Sequence, residues 1–491
     1  MATVVQGRLV EVEAVGAVVG DRRPVGADKT FRAYDPDQVL LMSPVLQEWV
    51  PEGDLAHFVC DLVEGALDLS AIYASYEGER GFPPYDPRLM VKLLIYGYAN
   101  GVCSSRKLEA ATYRDVAARM LCSGQHPDYR SIARFRARHL DALAELFVEA
   151  LRLCAKAGLV ALGSLALDGT KIRANASRHK AMSYERMTKK ESELEAEIAE
   201  LRARARALLA EAQATDERED ELYGADRRGD ELPDELGRRE TRLAKLREAK
   251  AALEAEARER EQARRAELQA EGRTPGATKD GRDPFAPKPA AQRNFTDPDS
   301  KIMKASDGAF HQSYNAQAIV DSKAQVIVSA DLSNQAPDCP ALDGALAQLH
   351  ENLEAIEAKL PAGAALSADA GYFSEDNVKT AETHGLDPHI ATGRQKHSDA
   401  PPISPRGPIP KDVTPKQRMA RKLKTKKGRA TYARRKVIVE PVFGQMQTVQ
   451  DAKRLLLRGE QAARAQWRFH CAVHNLLKLH RAGGLGLIAA G

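Results

Sequence analysis

The chain has 491 residues, 43% of them hydrophobic and 29% charged, enough to fill two or three domains with a sizeable buried core. Lys and Arg outnumber Asp and Glu by only 73 to 69, so the net charge of +4 does not by itself point to a polyanionic partner. The apolar run 158–167 is half the ~20 residues of a membrane span, and Glu11 and Glu13 interrupt the basic-then-apolar order of a signal peptide, so a cytoplasmic location without membrane contact is expected. Cys60, Cys103, Cys122, Cys154, Cys339 and Cys471 contain no Cys-x-x-Cys pair, which suggests buried small hydrophobes rather than zinc or a disulfide framework.

Residues 1–42 show no periodicity and read as a lead-in segment. Residues 43–160 read as an all-α domain: "DPRLMVKLLIYGYANGV" has the density of a buried helix, and "SSRKLEAATYRDVAARMLC" and "PDYRSIARFRARHLDALAELFVEALRLCAKAGL" follow it. In the last of these, Ile132, Phe135 and Leu143 suit a core face. Arg130, Arg134 and Arg138 recur every four residues as one stripe, fit for a phosphate backbone or for solvent. A helix-turn-helix here would have a long connection, Ser123 to Pro127.

Residues 161–180 open an α/β core with "LVALGSLALDG", a buried strand expected to close at Asp168 and to run into a basic stretch containing Lys171. The segment 181–272 is different in kind. Met187, Leu194, Ile198, Leu201, Ala205 and Leu208, and then Leu236, Leu243, Leu246 and Leu253, follow coiled-coil spacing among charged residues. Gly224, Gly229 and Pro233 between the two seams favour an antiparallel hairpin over pairing of two chains.

After a Gly- and Pro-rich linker, 273–300, residues 301–395 return to the core in the order β-β-α-β-α-β. A hairpin ("HQSYNAQAIVD", "AQVIVSADLS") leads to a helix begun by Asp338, then to the strand "AALSADAGYFS", a helix capped by Ser374, and the strand "DPHIAT". The segment 396–436 is basic: thirteen Lys or Arg against Asp412 alone lie between Arg406 and Lys436. Residues 437–491 are helical and carry Glu440 at their opening.

Three carboxylates stand out by position: Asp168 and Asp369 at strand ends, and Glu440 at a helix opening. Each alone fits an ordinary turn or cap residue. A buried strand end with an uncompensated carboxylate costs several kcal/mol, so something positive must sit beside it. Carboxylates without cysteine or a nearby histidine suit Mg²⁺ or Mn²⁺, and two such ions about 3.5–4 Å apart would serve an in-line phosphoryl displacement. His470, His474 and His480 share a helix with no acidic partner and read, with Trp467 and Phe469, as packing residues.

At these residues the chain resembles the DDE transposases of bacterial insertion sequences, in the branch with a helical N-terminal domain and a coiled coil interrupting the catalytic core. The resemblance is carried by "LALDGTKIRANAS", "NFTDPDSKIMK", "SYNAQAIVD", "SADAGYFS", "VEPVFGQMQ" and "LLLRGEQAARAQWRFHCAVHNLLKLH", and at the N-terminus by "LIYGYANGVCSSRKLEAA" and "PDYRSIARFRARH". It implies an RNase H-like mixed-sheet core and the catalytic, metal-binding triad Asp168, Asp369 and Glu440 with Mg²⁺ or Mn²⁺. It also implies double-stranded DNA as partner, at element ends and target, a homo-oligomer on DNA, and a nucleoid-associated bacterial location. Arg130, Arg134, Arg138, Lys171, Tyr432, Arg435, Lys436 and Gln447 are the expected DNA contacts. Gln447 stands where many relatives carry lysine, and Tyr432 and Arg435 lie one residue further from Glu440 than the common pattern, with Lys436 at the usual arginine distance. A DNA-binding derivative without catalysis, and a nuclease without strand transfer, are the alternative readings.

Overall fold

The computed structural model describes residues 45–76, 83–177, 180–223, 234–270, 272–275, 281–305, 308–393, 404–405, 407 and 412–489. The lead-in segment and the expected 224–233 turn lie outside the described residues. Among those described, no helix is long and apolar enough to cross a membrane.

Among the described residues, eight helices precede the first strand: α1 (Leu46–Trp49), α2 (Leu55–Gly65), α3 (Ser70–Ala74), α4 (Pro87–Ala99), α5 (Ser105–Arg114), α6 (Val116–Leu121), α7 (Tyr129–Arg138) and α8 (Leu140–Lys156). Two breaks in them depart from the sequence reading. Asp115 is extended (φ −104°, ψ 118°) and caps α6 by accepting from the amides of Ala117 and Ala118, so "SSRKLEAATYRDVAARMLC" is two helices. His139 (φ −107°, ψ 30°) separates α7 from α8.

The core sheet is built on β1 (Ser164–Arg173), β5 (Phe310–Asp321), β6 (Ile327–Ser333), β7 (Ala364–Ala368) and β8 (Leu386–Ile390), in the spatial order β6-β5-β1-β7-β8. β5 is antiparallel to β1 and β6, whereas β7 and β8 run parallel to β1, connected through α11 (Ala341–Ala355) and α12 (Glu375–Thr383). β4 (Lys301–Lys304) shares the outer edge of β5 with β6. The expected order of strands and helices is thus present as a mixed sheet. β1 departs from expectation in length: it continues five residues beyond Asp168, because its ladder with β5 runs on to the Arg173–Ser313 pair. Asp168 is therefore mid-strand.

α13 (Pro415–Lys424), α14 (Lys426–Thr448) and α15 (Glu460–Ala482) complete the chain's large elements. From Pro415 onward the basic segment is thus helical, α13 opening with a Thr414–Gln417 capping box, and the expected boundary at residue 437 falls inside α14. Glu440 is likewise inside α14 rather than at a helix opening. Pro441 withdraws the amide that would bond the Val437 carbonyl, and Gln325 Nε2 replaces it at 2.9 Å, so the helix runs through.

α8 and α4 pack on α15, which covers β5 and β6, so the N-terminal helices and the sheet share one continuous core from Val50 to Leu479. His470 and His474 are fully buried in it, each pushed down to about 3 by burial, and remain neutral packing groups beside Trp467 and Phe469.

A second, separate core lies in α9 (Tyr184–Tyr223) and α10 (Asp234–Ala270), where Met187, Leu194 and Ile198 are buried with Leu243, Leu246 and Leu253. Arg202 pairs with Glu240, Glu197 with Arg239, Glu191 with Lys250 and Tyr184 with Glu254, so one helix ascends as the other descends. Their base is tied by β2 (Ala181–Ser183) against β3 (Gln292–Asn294), the latter inside the stretch read as linker.

Candidate active site

β1 and β7 are parallel and paired through Leu167–Ala368, so the next residue on each is a carboxylate, Asp168 beside Asp369. Asp369 ends its strand and opens a 3₁₀ turn, Ala370–Tyr372, its Oδ1 accepting the Gly371 amide at 2.8 Å. Asp168 accepts its neighbour Gly169's amide on Oδ1 at 2.9 Å and the Arg435 guanidinium on Oδ2 at 2.6 Å. Burial pushes the Asp168 carboxyl up, Arg435 opposes this, and the Asp369 charge adds to the rise. The positive group beside the half-buried carboxylate is therefore Arg435 of α14, itself 9% exposed and with no partner for its Nε among the described residues. Its guanidinium carbon lies 6.0 Å from the centre of the Tyr432 ring. Burial raises the Tyr432 hydroxyl, Arg435 opposes the rise, and the charges of Asp369 and Asp168 add to it.

Gln447, two turns beyond Glu440 on the same face of α14, donates to Thr170 Oγ1 on β1 at 3.0 Å. Glu440 itself is exposed, and among the described residues no three His, Cys, Asp or Glu side chains converge closely enough to hold a metal ion. The structure thus brings Asp168, Asp369, Tyr432 and Arg435 together, and leaves Glu440 outside that group. Lys436 is exposed, and Lys171 is held by Asp338 at 2.8 Å. The expected arginine stripe of α7 divides. All three are exposed, Arg130 beside the Tyr129 ring, but Arg138 is engaged, donating to the Ser75 carbonyl and stacking 4.6 Å over Tyr76.

Sequence reasoning missed Asp338, Tyr372, Asn315 and Gln317. A signal existed: Asn315 and Gln317, two apart in a strand and so on one face of it, are buried amides, and such amides need partners. Asp338 is no helix cap, since α11 starts after Pro340 with no side-chain cap bond.

Asp168 and Asp369 are carboxylate oxygen donors, the donor type that suits a hard divalent cation. They also leave room. A β-carbon on Gly371 would stand 3.0 Å from Asp369 Oδ1 and 3.3 Å from Asp338 Oδ2, filling a small cradle that glycine keeps open. Mg²⁺ completes its shell with water and substrate oxygens, so two protein carboxylates suffice for a first contact.

Two family models match the chain: a transposase domain over residues 44–138 and a transposase DDE domain over residues 281–476. The second takes in Asp369 and Glu440 and begins after Asp168. No curated protein and no solved structure matches the chain.

Proposed function

Because the chain belongs to the DDE transposases of insertion sequences, we propose that it binds the terminal inverted repeats of its element and catalyses metal-dependent DNA cleavage and strand transfer. The observation that supports this most is the placement of Asp168 and Asp369 side by side on parallel strands, with Arg435 on Asp168. Asp168 and Asp369 would hold Mg²⁺ or Mn²⁺, with Glu440 joining them from α14. Divalent ions bound there supply activation of an attacking oxygen and charge stabilisation on the leaving one in an in-line phosphodiester displacement.

The chain's own groups do the rest. A guanidinium bonds a phosphate as well as a carboxylate, so DNA entering beside α14 offers Arg435 a second partner and releases an Asp168 oxygen. Tyr432 travels with it as a hydroxyl donor to the backbone. The exposed lysines of α13 and α14, and Arg130 and Arg134 of α7, supply sequence-independent attraction to the duplex. Two copies of the chain on two element ends complete the reading.

The experiment is incubation of the purified chain with duplexes carrying its element's ends, with and without Mg²⁺. Cleavage leaving a 3′-hydroxyl, followed by joining to target DNA, is expected only with the ion. End binding without cleavage in either Mg²⁺ or Mn²⁺ would return the non-catalytic reading, and cleavage without joining the nuclease reading.

A further inference from the structure

Asp338 holds a position that capping a helix does not explain. Its Oδ1 accepts three bonds, from Lys171 Nζ at 2.8 Å, Asn315 Nδ2 at 2.8 Å and Gln317 Nε2 at 3.3 Å. Its Oδ2 has no hydrogen-bond partner among the described residues. The register of β1 and β5 explains the donors: Lys171 pairs with Asn315 and Gly169 with Gln317, so all four project to one side of the sheet. Gly169 makes room for this, since a β-carbon there would stand 2.5 Å from Gln317 Nε2.

Gln317 passes the constraint onward, accepting the Tyr372 hydroxyl on its Oε1. Tyr372 is the last residue of the turn that Asp369 opens, and it is fully buried. Burial first, and then the charges of Asp338, Asp168 and Asp369, raise its hydroxyl well above the ordinary value, so it stays a protonated donor. The unbonded oxygen of Asp338 borders the same cradle at Gly371 as Asp369 Oδ1. A partly exposed ion pair of this kind adds little stability, so the cluster is more intelligible as support for the site.

We propose that Asp338 is a positioning residue of the DNA-cleavage site: through Gln317 and Tyr372 it fixes the turn carrying Asp369, and its unbonded oxygen adds negative charge where a divalent cation is held. The inference rests on reading Asp168 and Asp369 as the cation's ligands. An asparagine at 338 would either set its amide against three donors or turn that amide into the cradle, and both weaken cation binding.

The test is calorimetric titration of the full-length, DNA-free chain with Mn²⁺, alongside the Mg²⁺ concentration giving half-maximal cleavage of an end duplex. Asp338→Asn should lower Mn²⁺ affinity about tenfold and raise the Mg²⁺ requirement by a similar factor, as loss of outer-shell partners does, with end binding in EDTA unchanged. Tyr372→Phe keeps the ring and breaks only the link to Gln317, so it should cause a smaller loss of the same kind even if Asp338→Asn does not fold. Asp369→Asn is the reference. If it abolishes Mn²⁺ binding while Asp338→Asn and Tyr372→Phe leave it unchanged, the role of Asp338 is overturned. If Asp369→Asn also leaves Mn²⁺ binding unchanged, the reading of the site fails with it.

Discussion

Replacing Arg435 with glutamine would leave the Asp168 carboxylate half-enclosed and without its counter-charge. Breaking such a pair by removing one partner costs about 3 kcal/mol, to be read as a lower midpoint in urea at pH 7. The sign with pH follows from the raised carboxyl. A folded carboxyl that titrates above its unfolded value of about 3.9 favours the folded state in acid and loses that advantage as pH rises. Removing Arg435 raises it further, so the gap between Arg435→Gln and wild type should be widest at neutral pH and close below about pH 4. A gap that is constant with pH would mean that Arg435 acts by packing alone. Asp168→Asn, Asp369→Asn and Glu440→Gln should each abolish cleavage of end duplexes while preserving end binding, and near-normal cleavage by one variant removes that residue from the triad. Asp168 and Asp369 stand out in the sequence because each follows a local apolar run, although only Asp369 lies at a strand end and β1 runs on past Asp168. Asp338 does not stand out, because its three donors come from two strands that only the antiparallel register of β1 and β5 brings together.

At the scale of elements, α14 shows why a rule read from sequence can fail without being false. Proline does remove a helical hydrogen bond, and a boundary at Glu440 was the direct inference. The carbonyl it orphans, that of Val437, is met by Gln325 from the β5–β6 turn, 112 residues away in sequence. Gln325 also accepts from Lys478 of α15 at 2.8 Å, so one side chain holds the two C-terminal helices to the sheet. Gln325→Ala should cost about 1 kcal/mol in chemical denaturation, and cleavage should fall more than end binding because α14 carries Glu440. The basic run behaves similarly. Its folding into α13 and α14 engages Lys422 with Asp387 and the Pro388 carbonyl, so this lysine supports the fold. Lys424, Lys426 and Lys427 are exposed, and under the proposed function they are the lysines expected to meet phosphate. Their joint replacement by glutamine should reduce the slope of log affinity against log salt by about 0.9 for each phosphate lost, and Lys422→Gln should change stability more than slope. An unchanged slope in the triple variant would make those lysines solvated surface. The breaks at Asp115 and His139 left no comparable trace, since neither is glycine or proline and both sit inside helical periodicity.

For the whole molecule, the decisive feature is that its chain makes two separate cores. The shared core of N-terminal helices, sheet and α15 blurs the boundary that composition placed near residue 160, because apolar periodicity reveals which face is buried and not what buries it. α9 and α10 were legible in another way: heptad spacing is a local signal, and Met187, Leu194 and Ile198 do meet Leu243, Leu246 and Leu253. What periodicity alone could not distinguish was a hairpin from a pair of chains. Within this one chain, residues near the start of α9 meet the middle of α10, with Arg247 reaching both Glu191 and Glu195, which favours the hairpin and leaves the test to the isolated segment. Among the described residues, the apolar positions of the seam are buried against one another within the hairpin. The base is also closed locally, by the Tyr184 amide on the Ala291 carbonyl at 2.8 Å and Asn294 Nδ2 on the Ser177 carbonyl at 2.8 Å. Residues 181–294 expressed alone should therefore be helical by circular dichroism and sediment as a monomer at micromolar concentration. In the full chain, replacing 181–291 by a short flexible linker should leave the main core folded with an unchanged urea midpoint for the sheet, while end binding or pairing changes if the outer face of the hairpin contacts DNA or a second subunit. A fragment that sediments as a stable dimer would show that the ion pairs form between chains, and would make the helical arms the device that joins two copies.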